Sequence, residues 1–215
     1  MHGASSRVFG IDIWKEAIFQ AAARKRFYGL RNTDLIAGDA SMLPFPNNQF
    51  DLIVSNLGLN NFADPVKALA ECRRVAKPQA IIVLTTNIMG HYREFYEIFR
   101  DLLLILGNSH QLANLAANEE HRGTEESVSL LIESAGFTPT RIIREEFQLR
   151  FLDGTCLLDH ALTRIGFLAG WHAIVDGKDR AGVFSALEKK LNEIAAKQGR
   201  LTMTVPMLYL EARAG

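Results

Sequence analysis

Two acidic residues, Asp12 and Asp39, each follow a short apolar run of the sequence. If these runs are neighbouring strands of an open α/β sheet, both carboxylates lie at the carboxyl edge, where such sheets bind ligands. A carboxylate has two acceptor oxygens, so Asp12 could accept hydrogen bonds from both hydroxyls of a ribose, and Asp39 from an adenine amino group. The alternative for Asp12 is a solvated acid at a strand–helix junction, and the alternative for Asp39 is a helix or turn cap. Two acids at successive strand ends together favour the nucleoside-binding interpretation.

A third group of polar side chains follows the next apolar run, in the segment Ser55–Asn61. Asn56, Asn60 and Asn61 offer uncharged donors and acceptors at the place where a substrate would approach a cofactor. The alternative is structural, because asparagine tolerates a left-handed backbone and often shapes turns. The residues alone leave both interpretations open.

Histidine and tyrosine side chains later in the chain could contact a substrate. His91 and Tyr92 begin a predicted helix, and His160 lies beside Asp159, where an acid could support a general base. The six histidines are scattered, however, and a structural role is the simpler interpretation for each. The catalytic residue stays unknown, and the absence of GxSxG, HExxH and GxxxxGK[ST] argues against the usual hydrolases, zinc proteases and phosphate-loop enzymes.

Apolar runs and amphipathic segments alternate along the chain and would position these side chains. The predicted strands are 7–13, 33–37, 51–55, 80–86, 138–151 and 201–212, and Pro206 could interrupt the last one. The predicted helices are 14–27, 65–76, 91–106, 125–135 and 179–198. The first four strands alternate with helices, which predicts parallel βαβ units, and one of the last two could turn back antiparallel. Segment 107–123 shows no clear periodicity, and the aromatic segment 153–175 is predicted to cover the sheet edge as a partial lid.

Composition limits the classes of partner. The chain has 215 residues, 24 basic and 24 acidic, which suits one α/β domain without the charge that attracts nucleic acid or an anionic membrane. A small, roughly neutral partner is favoured. Cys72 and Cys156 stand far apart without a histidine cluster, which predicts two reduced thiols and no metal site. The sequence has no run of about 18 apolar residues and no signal-peptide core, so we expect a cytoplasmic protein without membrane partners.

The segment from about Val8 to about Val83 resembles the class I S-adenosylmethionine-dependent methyltransferases. It contains a strand ending in Asp12, then GDASMLPFPNNQFDLIVSN, then the helix ALAECRRVAKP before another apolar strand. The spacing GDA-x-x-LPF-x-x-x-x-FD is specific and is similar to the methyltransferase-domain group that includes quinone-biosynthesis enzymes. The KPGG that usually follows the helix is KPQA here, a small departure that we expect to reshape only a turn.

The resemblance implies a Rossmann-like three-layer αβα sandwich, with a mostly parallel sheet and an antiparallel carboxyl-terminal strand. It implies S-adenosylmethionine as cofactor and a small organic methyl acceptor. Residues 7–90 of a single domain would form the cofactor-binding half, and residues 91–215 the substrate side. The cofactor-binding residues would be Asp12 and Ile13 at the ribose, Gly38, Asp39 and Ala40 at the adenine, and Ser55, Asn56 and Leu57 beside the methyl group. The substrate candidates are Asn60, Asn61, His91, Tyr92 and His160.

One departure from the family pattern concerns its first strand and glycine-rich loop, which precede the acid equivalent to Asp12. The few residues before Asp12 cannot hold that strand and its helix, because a βαβ unit needs about 30 residues. We expect the first strand and helix to be missing through truncation; otherwise the sheet closes over the gap, or a partner such as a second copy completes it. Two alternatives to an active methyltransferase are a non-catalytic binding module with this fold and a nicotinamide-dependent oxidoreductase. The absence of a Tyr-x-x-x-Lys pair argues against the oxidoreductase.

Overall fold

The structure is a computed structural model that describes residues 5–215. Its strands are β1 (Val8–Asp12), β2 (Thr33–Ala37), β3 (Phe50–Asn56), β4 (Ala76–Asn87), β5 (Phe137–Phe151) and β6 (Leu201–Ala214). Its helices are α1 (Lys15–Phe27), α2 (Pro65–Val75), α3 (Arg93–Ile105), α4 (Leu112–Glu120), α5 (Glu125–Ser134), α6 (Gly154–Asp159), α7 (Ala161–Gly166), α8 (Leu168–Ile174) and α9 (Arg180–Gln198). Every strand and helix predicted from the sequence is present, with bounds shifted by at most four residues.

Two differences from the prediction concern weakly periodic segments. The segment that lacked a clear period contains helix α4, whose apolar face is short and buries Leu115. The aromatic segment forms the three short helices α6, α7 and α8, and its role as a lid stays a prediction. Pro206 does not interrupt β6, which runs unbroken through it.

The strands form two sheets. β1 and β2 pair in parallel, with Val8 opposite Thr33 and Asp12 opposite Ala37. The other four strands follow the order β3-β4-β6-β5. The described strands β1 and β3 therefore each have one hydrogen-bonded neighbour and one unpaired edge.

Strand β6 runs antiparallel to β4 and continues that relation into the turn after β4. The Ile88 N–H donates to the Pro206 carbonyl (3.2 Å), and the Tyr92 N–H donates to the Thr204 carbonyl (2.8 Å). The residue numbers rise in one segment while they fall in the other, so the two segments run in opposite directions. The predicted α/β class, with a mixed sheet and an antiparallel carboxyl-terminal strand, is confirmed.

The chain divides into two compact units. The first unit comprises the residues up to 84 with 129–141 and 210–215, and the second comprises 85–128 and 142–209. The predicted single domain, divided near residue 90, stays a prediction. Within residues 5–215, no helix combines the length and the apolar character needed to cross a bilayer.

The first unit links its two groups of strands through three phenylalanines. The Phe9 ring of β1 lies 5.0 Å from the Phe45 ring and 5.8 Å from the Phe50 ring of β3, in edge-to-face geometries that aromatic pairs favour. Helix α2 packs on this unit through an apolar face that is buried: Ala68, Leu69, Cys72 and Val75. Asp64 caps that helix as predicted, because its carboxylate accepts the Lys67 N–H at 2.9 Å, one residue before Pro65.

The second unit has an aromatic core. The Phe95 and Trp171 rings stack with centroids 4.0 Å apart, and both residues are at most 1% exposed. The Trp171 indole N–H donates to the Tyr96 hydroxyl, which in turn donates to Asn118 Oδ1 at 2.8 Å. These bonds satisfy the polar ends of two buried rings, which would otherwise destabilise the core.

Candidate functional site

The carboxyl ends of β1 and β2 bring two predicted cofactor-binding acids to one edge of the first unit. The parallel register places Asp12 opposite Ala37, and the Gly38 N–H donates to the Asp12 carbonyl at 3.0 Å. Asp39 follows directly after Gly38. The structure therefore places both acids at the same edge of the β1–β2 sheet.

The Asp12 carboxylate has a structural bond and a vacant acceptor. Its Oδ1 accepts the N–H of Trp14 at 2.8 Å, at the junction between β1 and α1. Its other oxygen accepts no hydrogen bond from any residue between 5 and 215. The side chain is exposed, and one oxygen remains for a ligand hydroxyl.

Asp39 combines a turn contact with an ionised side chain. Its Oδ1 accepts the Ser41 N–H at 2.8 Å. Hydrogen bonds from the Ser41 backbone and side chain, helped by the charge of Lys67, hold the pKa of Asp39 below its usual value. The N–H of Ala40 donates to no acceptor in the described part of the chain. An ionised acceptor beside an unpaired N–H suits a heterocycle with an amino group next to a ring nitrogen.

The segment after β3 is a tight turn. Leu57 has a left-handed backbone (φ +59°), and Asn61 closes the turn by donating from Nδ2 to the Leu57 carbonyl at 2.8 Å. A side chain at Gly58 would force its neighbours to shift, because its Cβ would lie 2.6 Å from Ser55 Oγ and 3.1 Å from the Phe62 ring. The Asn61 amide therefore stabilises the turn, which is the structural alternative to a substrate contact. Asn56 and Asn60 also have polar partners in the structure.

Two side chains of α2 hold the connection that precedes β3. Glu71 Oε2 accepts the Leu43 N–H at 2.8 Å, and Arg74 donates to the carbonyls of Leu43 (3.0 Å) and Phe45 (2.7 Å). Glu71 and Arg74 also form an ion pair at 2.6 Å, which lowers the pKa of the Glu71 carboxyl. The sequence prediction missed this contact, whose only local signal is the i, i+3 spacing of the two charges on a predicted helix.

The remaining substrate candidates belong to the second unit. His160 is exposed, and its Nδ1 accepts the Leu162 N–H at 3.3 Å, so it caps α7. His91 and Tyr92 are buried, at 4% and 0% exposure, and their rings stack at 4.2 Å. Burial lowers the pKa of His91 to about 3 and raises the pKa of Tyr92 to about 12, so both side chains are neutral near pH 7.

The first unit also contains a cavity of about 360 Å³. It lies between the carboxyl-terminal half of α1 and the beginning of β2, and none of the predicted site residues lines it. Among residues 5–215, no three His, Cys, Asp or Glu side chains are grouped to hold a metal ion. The acids at the strand ends are therefore the principal candidate site of this unit.

Comparison with known proteins identifies the fold and the family resemblance. Residues 1–84 match the family described as methyltransferase domain. The demethylmenaquinone methyltransferase of Geobacillus stearothermophilus is 34% identical over 109 residues, which cover 49% of this chain and 47% of that protein. The resemblance to class I S-adenosylmethionine-dependent methyltransferases is confirmed. The chain spans about half the length of the curated relatives it matches.

Solved structures agree with this methyltransferase fold over almost the whole chain. A candidate methyltransferase from Bacillus halodurans has a TM-score of 0.59 at 17% identity, covering 97% of this chain and 83% of that one. A SAM-dependent methyltransferase from Methanosarcina mazei has a TM-score of 0.56 at 18% identity, covering 97% and 82%. At these identities the likeness establishes the fold, and the Rossmann-like prediction is confirmed.

Proposed function

We propose that this chain acts as an S-adenosylmethionine-dependent methyltransferase on a small organic acceptor in the cytoplasm. The main support is the pair Asp12 and Asp39, which lie at adjacent strand ends within the segment that matches the methyltransferase domain. The relatives named demethylmenaquinone methyltransferase also support a small-molecule acceptor. The chain's neutral net charge agrees with such a partner better than with nucleic acid.

The donor set fits the adenosine part of this cofactor. In the proposed complex, the vacant Asp12 oxygen accepts a ribose hydroxyl beside Ile13. Asp39 accepts from the adenine amino group while the unpaired Ala40 N–H donates to a ring nitrogen, and Gly38 lies directly before this pair. The bound cofactor supplies an electrophilic methyl group on a sulfonium.

The protein's own contribution to transfer is alignment. Ser55, Asn56 and Leu57 lie at the end of β3, where an acceptor would approach the methyl group. The left-handed turn closed by Asn61 holds these residues in one arrangement. Because the methyl carbon is already electrophilic, placing the acceptor in line can supply much of the rate without a covalent nucleophile.

We further propose that an additional strand completes the sheet between β1 and β3. Both strands belong to the first unit, both have an unpaired edge among the described strands, and the phenylalanine cluster brings them together. The β3 side chains Leu52 and Val54 are 40% and 61% exposed, which is unusual for apolar residues of an inner strand. The strand would come from a preceding segment of a longer protein or from a second copy, and would bring the remaining contacts to the cofactor.

Calorimetric titration with S-adenosylhomocysteine and adenosine tests the cofactor site. We expect micromolar binding of S-adenosylhomocysteine, weakened about tenfold or more by Asp39→Ala, since a hydrogen bond to a charged group contributes about 1.5–3 kcal/mol. The matched control is Asp34→Ala, which removes an acid from the same sheet that pairs with Arg7 at 3.0 Å. Circular dichroism checks that each variant is folded.

Absent binding by the folded wild-type chain would contradict a working cofactor site and support the non-catalytic module. Equal losses in the two variants would contradict the assignment of Asp39. Sedimentation velocity with and without S-adenosylhomocysteine tests the added strand: a ligand-dependent dimer supports a second copy, and a monomer that binds fully argues that no further strand is needed.

A further inference from the structure

A group of buried and half-buried aromatic and polar side chains in the second unit has no role in the proposed cofactor site. The rings of His91, Tyr92 and Phe167 lie nearly parallel, with His91 4.2 Å from Tyr92 and 5.2 Å from Phe167. The Arg122 guanidinium lies over the Phe167 ring at 5.2 Å. We call these four residues the His91 cluster.

The backbone that carries His91 and Tyr92 is strained and firmly held. Tyr92 has a left-handed backbone (φ +57°), which is unfavourable for a bulky residue, and Gly90 two residues earlier also has a positive φ. The turn is fixed because the Met89 N–H donates to the Gly123 carbonyl (3.0 Å) and the Tyr92 N–H to the Thr204 carbonyl. A strained conformation that the surroundings enforce is characteristic of functional sites.

The His91 cluster contains buried polar atoms without partners. Among residues 5–215, His91 Nε2 and the Tyr92 hydroxyl contact no hydrogen-bonding group. The buried Thr163 hydroxyl is also unpaired, and Thr163 precedes Phe167 by one helical turn, with the Phe167 N–H donating to its carbonyl at 2.9 Å. Since buried polar groups are nearly always satisfied in folded proteins, the unpaired groups of the adjacent residues His91 and Tyr92 indicate a missing partner.

Donor chemistry identifies the kind of partner. The Asn87 amide nitrogen lies 3.1 Å from His91 Nδ1, and because an amide nitrogen only donates, Nδ1 accepts. The proton of the neutral imidazole is then on the unpaired Nε2, which becomes a donor. Tyr92 adds a hydroxyl donor. Burial keeps both groups neutral, which leaves them suited to donate to an acceptor instead of forming ion pairs.

Arg122 supplies the charge of the cluster. It is half-buried, and it forms no ion pair with any residue of the described chain. Its positive charge adds to the effect of burial in lowering the pKa of His91, and it partly offsets the rise that burial causes in the pKa of Tyr92. Two neutral donors beside an uncompensated guanidinium are complementary to a negatively charged oxygen.

We propose that the His91 cluster binds an ionised oxygen, a carboxylate or a phenolate, of a small organic ligand. The oxygen accepts from His91 Nε2 and from the Tyr92 hydroxyl, and its charge is balanced by Arg122. The site lies wholly in the second unit and does not depend on cofactor binding by the first. The two proposals can therefore fail independently.

The fluorescence of Trp171 offers a direct assay, because its ring lies 5.7 Å from Phe167 and 6.3 Å from Tyr92. The sequence contains two tryptophans, so Trp14→Phe gives a background in which the signal comes from Trp171 alone. The probes are benzoate, 4-nitrophenolate and, as a neutral analogue of similar shape, benzamide. The variants are Tyr92→Phe, which keeps the stacked ring, and Arg122→Gln, with the exposed Arg164→Gln as matched control.

We expect an oxyanion probe to bind at least tenfold more tightly than benzamide. Tyr92→Phe and Arg122→Gln should each weaken that binding at least tenfold, and Arg164→Gln should leave it within twofold. Binding of benzoate alone assigns the site to carboxylates, and binding of 4-nitrophenolate alone assigns it to phenolates. Saturable binding of neither oxyanion, equal binding of benzamide, or equal losses in all three variants would overturn the proposal.

Discussion

The depressed pKa of His91 predicts that acid destabilises the protein through one buried side chain. The pKa of a histidine in an unfolded chain is about 6.5, and in the folded protein that of His91 falls to about 3, chiefly because the residue is buried and secondarily because of the charge of Arg122. Between these two values the unfolded chain binds a proton that the folded chain does not. Stability contributed by the neutral ring is therefore fully present above about pH 6.5 and is lost as the pH falls toward 3.

The magnitude follows from the two pKa values. At pH 5, the pH is about 1.5 units below the pKa of the unfolded histidine, which is therefore protonated, while the folded ring is still neutral. At about 1.4 kcal/mol per unit, the free energy of unfolding should be about 2 kcal/mol lower at pH 5 than at pH 7.5 because of His91. His91→Phe keeps an aromatic ring next to Tyr92 and Phe167 and cannot titrate, so it should remove this part of the pH dependence.

Urea denaturation at pH 7.5 and pH 5.0, without added ligand, measures the effect. The control is His110→Gln, which removes an imidazole that is 60% exposed and should leave the pH dependence close to that of the wild type. The same difference between the two pH values in wild type and His91→Phe would refute the reasoning. So would an NMR titration in which the His91 ring protonates near pH 6 in the folded protein.

The remaining predictions concern the first unit and the two thiols. Asp64→Ala should lower the free energy of unfolding by about 1 kcal/mol in urea denaturation, because it removes the cap that accepts the Lys67 N–H. The control Asp51→Ala breaks a surface ion pair with Lys77 and should change the free energy of unfolding by under about 0.5 kcal/mol. Equal effects of the two variants would contradict the capping role. In a thiol titration with a disulfide reagent at pH 8, the exposed Cys156 should react promptly. The buried Cys72 should react only after unfolding, because burial raises its pKa to about 11. Prompt reaction of two thiol equivalents in the native protein would contradict this prediction.

Much of the fold could be predicted because its signals are local. The cap Asp64 and the following Pro65 mark the start of α2 within one residue. The apolar runs before Asp12 and Asp39 predict strands, and the rule that parallel strands end at one edge then predicts that the two acids meet. The β1–β2 register bears out that placement. Binding of a nucleoside by these acids stays a prediction.

The missed contacts depend on residues far apart in the sequence. Asn61 could be predicted either as a ligand contact or as a turn former, and only the position of the Leu57 carbonyl decides. His91 and Tyr92 were candidates because they follow a strand, but burial of His91 depends partly on Phe167, which is 76 residues away along the sequence. Arg122 lies in a segment without periodicity, so no sequence pattern indicates that its charge acts on the His91 cluster.

The acid sensitivity of the protein and the proposed oxyanion site depend on the same electrostatics. Without a ligand, Arg122 opposes protonation of His91, because two positive charges would meet in a region shielded from water. An oxyanion bound next to both side chains would offset the charge of Arg122 and would favour protonation of His91. Binding of benzoate, which stays ionised at pH 5, should therefore reduce the acid destabilisation assigned to His91. A ligand that binds without changing that pH dependence is bound elsewhere, even if it alters the fluorescence of Trp171.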